Sequence, residues 1–256
     1  MRRLDDAMYY SYKEGKRRVE EILTSSMEVV EAHHVPSDDK FTFENAYHAW
    51  VMAIFVDIRD STKLMDNPDH EYVAKVVRSF TSEIIEILRD DDRLREIGIR
   101  GDCVYAVYTT PLKTDIYHVF DGAIYVNTYL NMLNAILREH GYPAIRAGIG
   151  VAIGHDHVIK AGRKGVGINA AVWMGKAVSE ASKLSGYGEK TVSDRIVLSG
   201  LTFDNIIEEF EEKMPEKDPR SWFHRPTGYA ALPFGAYYCD VVMSDMNDWV
   251  KNGMPE

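Results

Sequence analysis

Cysteine is scarce in this chain, with two residues in 256, and proline occurs only nine times. Two cysteines cannot build a disulfide framework. Cys103 and Cys239 lie in apolar, strand-like contexts and read as reduced core thiols. No uninterrupted apolar run approaches the ~20 residues of a membrane span. Met1 is followed by Arg-Arg-Leu-Asp-Asp, with no apolar segment of a secretory signal, so a cytoplasmic location without membrane attachment is expected. Positive charge is also in short supply: 30 Lys and Arg stand against 40 Asp and Glu, a net charge of -10. That balance argues against nucleic acid or an anionic membrane as a partner. It leaves room for one nucleotide held by a local basic cluster and metal. The nine histidines form no spaced ligand set. His155 and His157 alternate near a turn, His33 and His34 fall in a linker, and none is assigned to a metal.

A hydrophobic content of 45% over 256 residues suffices for one domain with additions. Residues 5–34 are charged and helix-friendly, with Val19, Ile22, Leu23, Met27 and Val30 at helical spacing. Residues 1–45 therefore read as a helical extension and linker, and residues 46–256 as the main domain. The apolar run 50–58 predicts a strand covered on both faces. Residues 70–89 carry a helical face through Val73, Val76, Val77, Phe80, Ile84 and Leu88. Residues 94–110 predict a hairpin about Arg100-Gly-Asp102, and residues 115–140 a long helix ended by Gly141. A strand over 145–154 with an antiparallel return at 158–162 is expected next. A helix over 170–184, a strand over 195–198, a helix over 202–210, a strand over 236–243 and a helix over 244–250 follow. The order predicts an α+β sandwich with helices on one side of a mostly antiparallel sheet.

Two aspartates concentrate the chemistry. Asp57 ends the apolar strand and leads into Ile58-Arg-Asp-Ser-Thr62, while Asp102 sits in the hairpin turn. A carboxylate at the edge of a buried strand is costly unless something pairs with it. Two of them brought together make a site for hard divalent cations, which gather triphosphates. The turn after Asp57 opens a helix, whose free N–H groups at Ser61 and Thr62 could seat a polyphosphate. Gly162-Arg-Lys-Gly165-Val-Gly167 lacks the spacing of either nucleotide fingerprint and reads as a turn.

Four ordered stretches carry a family resemblance. Phe55-Val-Asp57-Ile58-Arg-Asp-Ser-Thr62 resembles the Phe-x-Asp-Ile-x-x-Phe-Thr opening of class III nucleotidyl cyclases. Gly101-Asp102 with its aromatic-rich strand resembles their second metal motif. Arg146-Ala-Gly-Ile-Gly150-Val-Ala-Ile-Gly154 resembles their Arg-x-Gly-Ile-x-x-Gly strand, and Val178-Ser-Glu-Ala-Ser-Lys183-Leu their Val-Asn-x-Ala-Ser-Arg-Met helix. The resemblance implies a ferredoxin-like βαββαβ core with added C-terminal strands and helices. It also implies two divalent cations (Mn²⁺ or Mg²⁺) held by Asp57, Asp102 and the carbonyl of Ile58. Its active sites lie at a homodimer interface, with Ser179 and Lys183 at the positions of the catalytic Asn and the transition-state Arg.

The departures are informative. Purine cyclases read the base with two polar side chains, and here those positions hold Gly98 and, by gapless alignment, Val172. Neither can form a side-chain hydrogen bond, so a purine reader would lose specificity at both. This combination resembles the pyrimidine cyclases of the bacterial Pycsar anti-phage system, whose product activates a separate effector. Arg100 is a candidate to read the base, and a guanidinium suits the two carbonyl acceptors of uracil, so the resemblance implies UTP as substrate and cyclic UMP as product. A cytidylate or adenylate cyclase, and a catalytically inactive nucleotide-binding domain favoured by Ser179, are the alternatives.

Overall fold

The computed structural model describes residues 10–167, 169–226 and 232–256. Its order is α1 (Tyr12–Thr24), β1 (Glu28–Glu31), β2 (Asn45–Ile58), α2 (Ser61–Met65), α3 (His70–Arg89), β3 (Leu94–Arg100), β4 (Cys103–Thr109) and α4 (Lys113–Glu139). There follow β5 (Ala147–Gly162), β6 (Asn169–Met174), α5 (Lys176–Ser185), β7 (Ile196–Leu198), α6 (Gly200–Lys213), β8 (Tyr237–Cys239) and α7 (Ser244–Lys251). The strands form one sheet in the order β3-β4-β2-β5-β7-β8, with β1 on β2 and β6 on β5. β2-α3-β3-β4-α4-β5 is the expected βαββαβ core, with β2 antiparallel to both β4 and β5. Among the described residues no helix is long and apolar enough to cross a membrane.

Side-chain alternation along β2 divides the interior. Met52, Ile54 and Val56 face a core shared with Phe80 and Ile84 of α3, Phe120 and Leu130 of α4, and Ile206 and Phe210 of α6. Val51, Ala53 and Phe55 face the other way, with Ala177 and Ala181 of α5. Helices therefore cover both faces, rather than the single face expected. The reason is a row of small residues on β5. A Cβ on Gly150 would lie 2.0 Å from the Ala181 carbonyl oxygen, and one on Gly148 would lie 2.1 Å from that of Ser185. The glycines let the backbone of α5 rest directly on the strand.

Four other expectations change. Met27 and Val30 do not continue the first helix; α1 ends at Thr24, and Glu28–Glu31 pairs in parallel with Asn45 to His48 of β2. The sheet thus begins inside the stretch read as a helical extension. Residues 158–162 do not turn back but continue β5, and the returning strand is β6. Residues 170–174, read as helix, form that strand because β5 supplies its backbone partners, and the helix starts only after Gly175. The buried carboxylate of Asp156 receives the amides of Lys176 (2.8 Å) and Ala177 (3.0 Å), capping α5 from the neighbouring strand. Last, the final strand is short, Tyr237–Cys239 rather than 236–243.

Cys103 and Cys239 are free thiols. Burial pushes the Cys103 thiol up to about 12 and raises that of Cys239, so both stay protonated and unreactive at neutral pH.

Candidate active site

Register brings the two aspartates together. Asp57, at the end of β2, pairs with Cys103, which follows Asp102 in the β3–β4 turn. The amide of Ile58 donates to the Asp102 carbonyl at 3.5 Å. Gly101 holds the turn at a φ of 63° that a side chain would resist. Burial raises the Asp57 carboxyl above the ordinary carboxylate range; Arg59 pulls it back, and the negative charge of Asp102 raises it further. The two acidic groups are thus near enough for the charge of one to act on the other.

Arg59 was not singled out by sequence reasoning. Its Nη2 donates to Asp57 Oδ2 at 2.9 Å and to the Ser185 carbonyl at 2.6 Å, and Nη1 donates to the Gly186 carbonyl at 3.3 Å. The guanidinium is buried. It ties the first aspartate to the C-terminal end of α5, where a cation also suits the helix dipole. No periodicity marks an arginine in a turn for this duty. Asp60 takes a left-handed conformation ahead of α2, makes no side-chain cap bond, and pairs with Arg146 instead. The first amides of α2 bonded within it are those of Lys63 and Leu64, both to the Asp60 carbonyl, so the amides of Ser61 and Thr62 precede the intrahelical ladder.

The region expected to read the base is already structured. A Cβ on Gly98 would lie 2.8 Å from the Tyr105 hydroxyl, so the missing side chain makes room for the tyrosine ring. Tyr105 stacks with Phe55 at 5.4 Å, and Arg100 stands 5.7 Å from its ring centre. The Tyr105 hydroxyl donates to Glu96 at 2.5 Å, and the Trp173 indole N–H donates to the same carboxylate at 2.6 Å. Val172 lies on the opposite face of β6 from Trp173, paired with Ile159. It is Trp173 that packs with Phe55 and Val51 on the face of Asp57. Period-two alternation would have separated the two positions had β6 been read as a strand.

Ser179 and Lys183 are exposed and one turn apart on α5. The Ser179 hydroxyl donates to the Gly175 carbonyl at 2.7 Å, and Lys183 Nζ lies 5.7 Å from the Phe234 ring centre. Among the described residues, no hydrogen bond or ion pair joins either of them to Asp57 or Asp102.

No family model matches the chain. It is 46% identical over 247 residues to a uridylate cyclase of Treponema porcinum, covering 96% of this chain and 83% of that protein. It is 30% identical over 220 residues to a uridylate cyclase of Gulbenkiania mobilis, covering 82% and 85% respectively. In fold it is similar to an adenylyl cyclase from P. aeruginosa, with a TM-score of 0.58 over 76% of this chain and 95% of that one, at 19% identity. A class III adenylyl cyclase-like ATP-binding protein from Pseudomonas aeruginosa gives a TM-score of 0.64 at 15% identity, over 95% of this chain and 49% of that one. With the class III fold and two relatives of one kind, each matched over more than four-fifths of its length, the chain belongs to the uridylate cyclase family of nucleotidyl cyclases.

Proposed function

We propose that this chain converts UTP to 3′,5′-cyclic UMP and pyrophosphate, as a homodimer whose sites each draw on both subunits. The observation that carries the reading is the convergence of Asp57 and Asp102 at one end of β2 and β4, in a chain whose relatives are uridylate cyclases. In the reaction the ribose 3′ oxygen forms a bond to the α-phosphorus, its proton goes to solvent, and the bond from that phosphorus to the pyrophosphate oxygen breaks.

Asp57, Asp102 and the carbonyl of Ile58 are the residues to hold two divalent cations, Mn²⁺ or Mg²⁺. The fit rests on charge: the two carboxylates lie near enough for the charge of Asp102 to act on Asp57, while Arg59 pairs with Asp57 and Lys190 also acts on it. When bound, such cations supply neutralisation of the triphosphate and a lowered pKa for the 3′ hydroxyl. Arg59 orients Asp57 so that one carboxylate oxygen is spent on the arginine and the other remains for the site. The amides of Ser61 and Thr62, ahead of the intrahelical ladder, would receive phosphate oxygens after the turn. Glu96 is occupied by Tyr105 and Trp173 and so fixes the aromatic wall, leaving Arg100 as the donor for the uracil carbonyls. The partner's α5 would supply the Lys183 charge and the Ser179 hydroxyl, since neither reaches the aspartates within one chain. The resemblance to the Pycsar enzymes supports a second-messenger role in anti-phage defence, with cyclic UMP read by a separate effector protein.

Incubating the purified protein with each of the four NTPs and Mn²⁺ tests the substrate. Cyclic UMP from UTP is the expected product, and cyclic AMP as the sole product would reject the pyrimidine assignment. One observation favours a second reading. The Ser179 hydroxyl is spent on the Gly175 carbonyl, as suits a domain that binds nucleotide without turning it over. Nucleotide binding with no cyclic product from any of the four would select it.

A further inference from the structure

Away from the aspartates, the three strands β1, β2 and β5 bring another set of polar side chains to one spot. Glu31 of β1 is in register with His48 of β2, and His48 with His157 of β5; Trp50, next along the same face of β2, is in register with His155. His48 and Trp50 are in phase with Met52 and Ile54 along β2, so this is the outer end of the face that α3 and α4 cover elsewhere. His48 Nδ1 lies 2.7 Å from Glu31 Oε1, and His155 Nε2 lies 3.6 Å from Glu31 Oε2. One ligand atom from each of Glu31, His48 and His155 falls within 4.8 Å of the others. These residues are separated by 17 and 107 positions in sequence, and only sheet register assembles them.

The second nitrogen of His48 decides what the cluster can do. His48 Nε2 faces the carbonyl oxygen of His155 at 3.2 Å. A carbonyl only accepts, so Nε2 carries a proton and donates it. Nδ1 then turns toward a carboxylate, which also only accepts. Two acceptors that face one another need a cation to join them: a proton at the present 2.7 Å, or a metal ion once the pair opens to the separation of two ligands. A histidine whose far N–H is fixed by a backbone carbonyl is the usual arrangement of a metal ligand. His157 stacks on His48 with ring centres 3.9 Å apart and planes at 11°, which holds the ring in that orientation. Zinc bonds of about 2.0–2.1 Å to nitrogen and oxygen put neighbouring tetrahedral ligand atoms about 3.3 Å apart. The Glu31–His48 contact is shorter than this, at the length of a hydrogen bond, and the Glu31–His155 contact is longer and made by the other carboxylate oxygen, so the side chains would adjust to share one ion.

We propose that Glu31, His48 and His155 form a binding site for a transition-metal ion of the zinc class, distinct from the oxygen-rich site at Asp57 and Asp102. Two imidazoles and one carboxylate suit Zn²⁺ and leave a fourth position for water, whereas Mg²⁺ and Mn²⁺ prefer oxygen donors. The ion would clip the four-residue β1 to β2 and β5, joining the N-terminal segment to the sheet.

The test uses the full chain, treated with chelator and then titrated with ZnCl₂ in excess Mg²⁺, which occupies the oxygen site. Bound zinc is measured by equilibrium dialysis and mass spectrometry, and thermal unfolding is followed in parallel. One zinc per chain is expected, with a melting temperature that rises with zinc concentration. His155→Gln and Glu31→Gln, both on exposed side chains, should each weaken zinc binding by more than the roughly 10–100-fold that losing an outer-shell partner costs. Their melting temperatures without zinc should match the parent. The Asp57→Asn, Asp102→Asn double variant should bind zinc as the parent does. Absence of zinc from the parent chain in excess Mg²⁺ would overturn the proposal. So would zinc binding that survives both Gln substitutions, or that disappears with the aspartates.

Discussion

One face of the sheet buries Met52, Ile54 and Tyr108 beneath α3 and α4. The other, one residue out of phase, carries Phe55, Asp57 and the Gly148–Gly150–Gly154 row beneath α5. The first is filled with large side chains and holds the domain together through area removed from water. The second is filled with small ones, so that a helix backbone can approach and polar groups can stand at its margin. Two hydrogen-bonded groups, Arg59 with Asp57 and Glu96 with Tyr105 and Trp173, belong to that second face. A sheet so divided lets stability and chemistry be altered separately, and substitutions on each face can show whether they are.

The largest effect is expected at Asp57. Asp57→Asn keeps an acceptor for Arg59 but removes a charge, and cyclic nucleotide formation should fall by at least about 10³-fold, as when a principal electrostatic element is removed from an active site. Thermal unfolding should change little. Substantial residual turnover would break the assignment of this face to chemistry. On the other face, Phe80→Ala should cost about 3–5 kcal/mol of stability, while the rate per folded molecule stays near that of the parent. Denaturant titration combined with an active-fraction assay would measure both, and a rate loss without destabilisation would erase the distinction.

Gly150→Ala sits between the two effects. The added methyl would collide with the α5 backbone, at a cost of about 1–3 kcal/mol for overpacking, and should also disturb Arg59 through Ser185. An unchanged melting temperature would show that α5 has room to move.

The smallest effect is a titration. Asp57 has a raised carboxyl, chiefly through burial and partly through Asp102. On that account its contribution to stability is complete below the unfolded-state value and is lost as pH rises through the folded one. Cation binding runs the opposite way, since it needs the ionised form. Asp102→Asn removes one raising influence, so the Asp57 carboxyl followed by carbon NMR should titrate at lower pH than in the parent. A shift upward, or none, would mean that the two groups do not share a site.

Much of this site was legible in the chain itself, because a carboxylate ending an apolar strand and a Gly-Asp turn are local signals. The hairpin of β3 and β4 and the helices α3 and α4 follow their periodicity closely. What escaped depends on partners distant in sequence. Residues 170–174 fit a helix as well as a strand until β5 is present to pair with them, and only the strand puts Val172 and Trp173 on opposite faces. Arg59 has no pattern of its own, since its role is set by carbonyls at Ser185 and Gly186 that only packing of α5 brings near. The glycine row was visible and its meaning is plain in retrospect: small residues on alternate positions of one strand mark the face that a helix backbone approaches.

The account rests on a site that one chain begins and its partner completes, and mixing two crippled proteins tests it directly. Asp57→Asn and Lys183→Ala should each be nearly inactive alone. In a symmetric dimer, random exchange makes half of the molecules heterodimers, each with one intact site, so activity should return to about a quarter of the parent value. No recovery, with heterodimers demonstrated and both proteins folded, would contradict a shared site built from Asp57 of one subunit and Lys183 of the other.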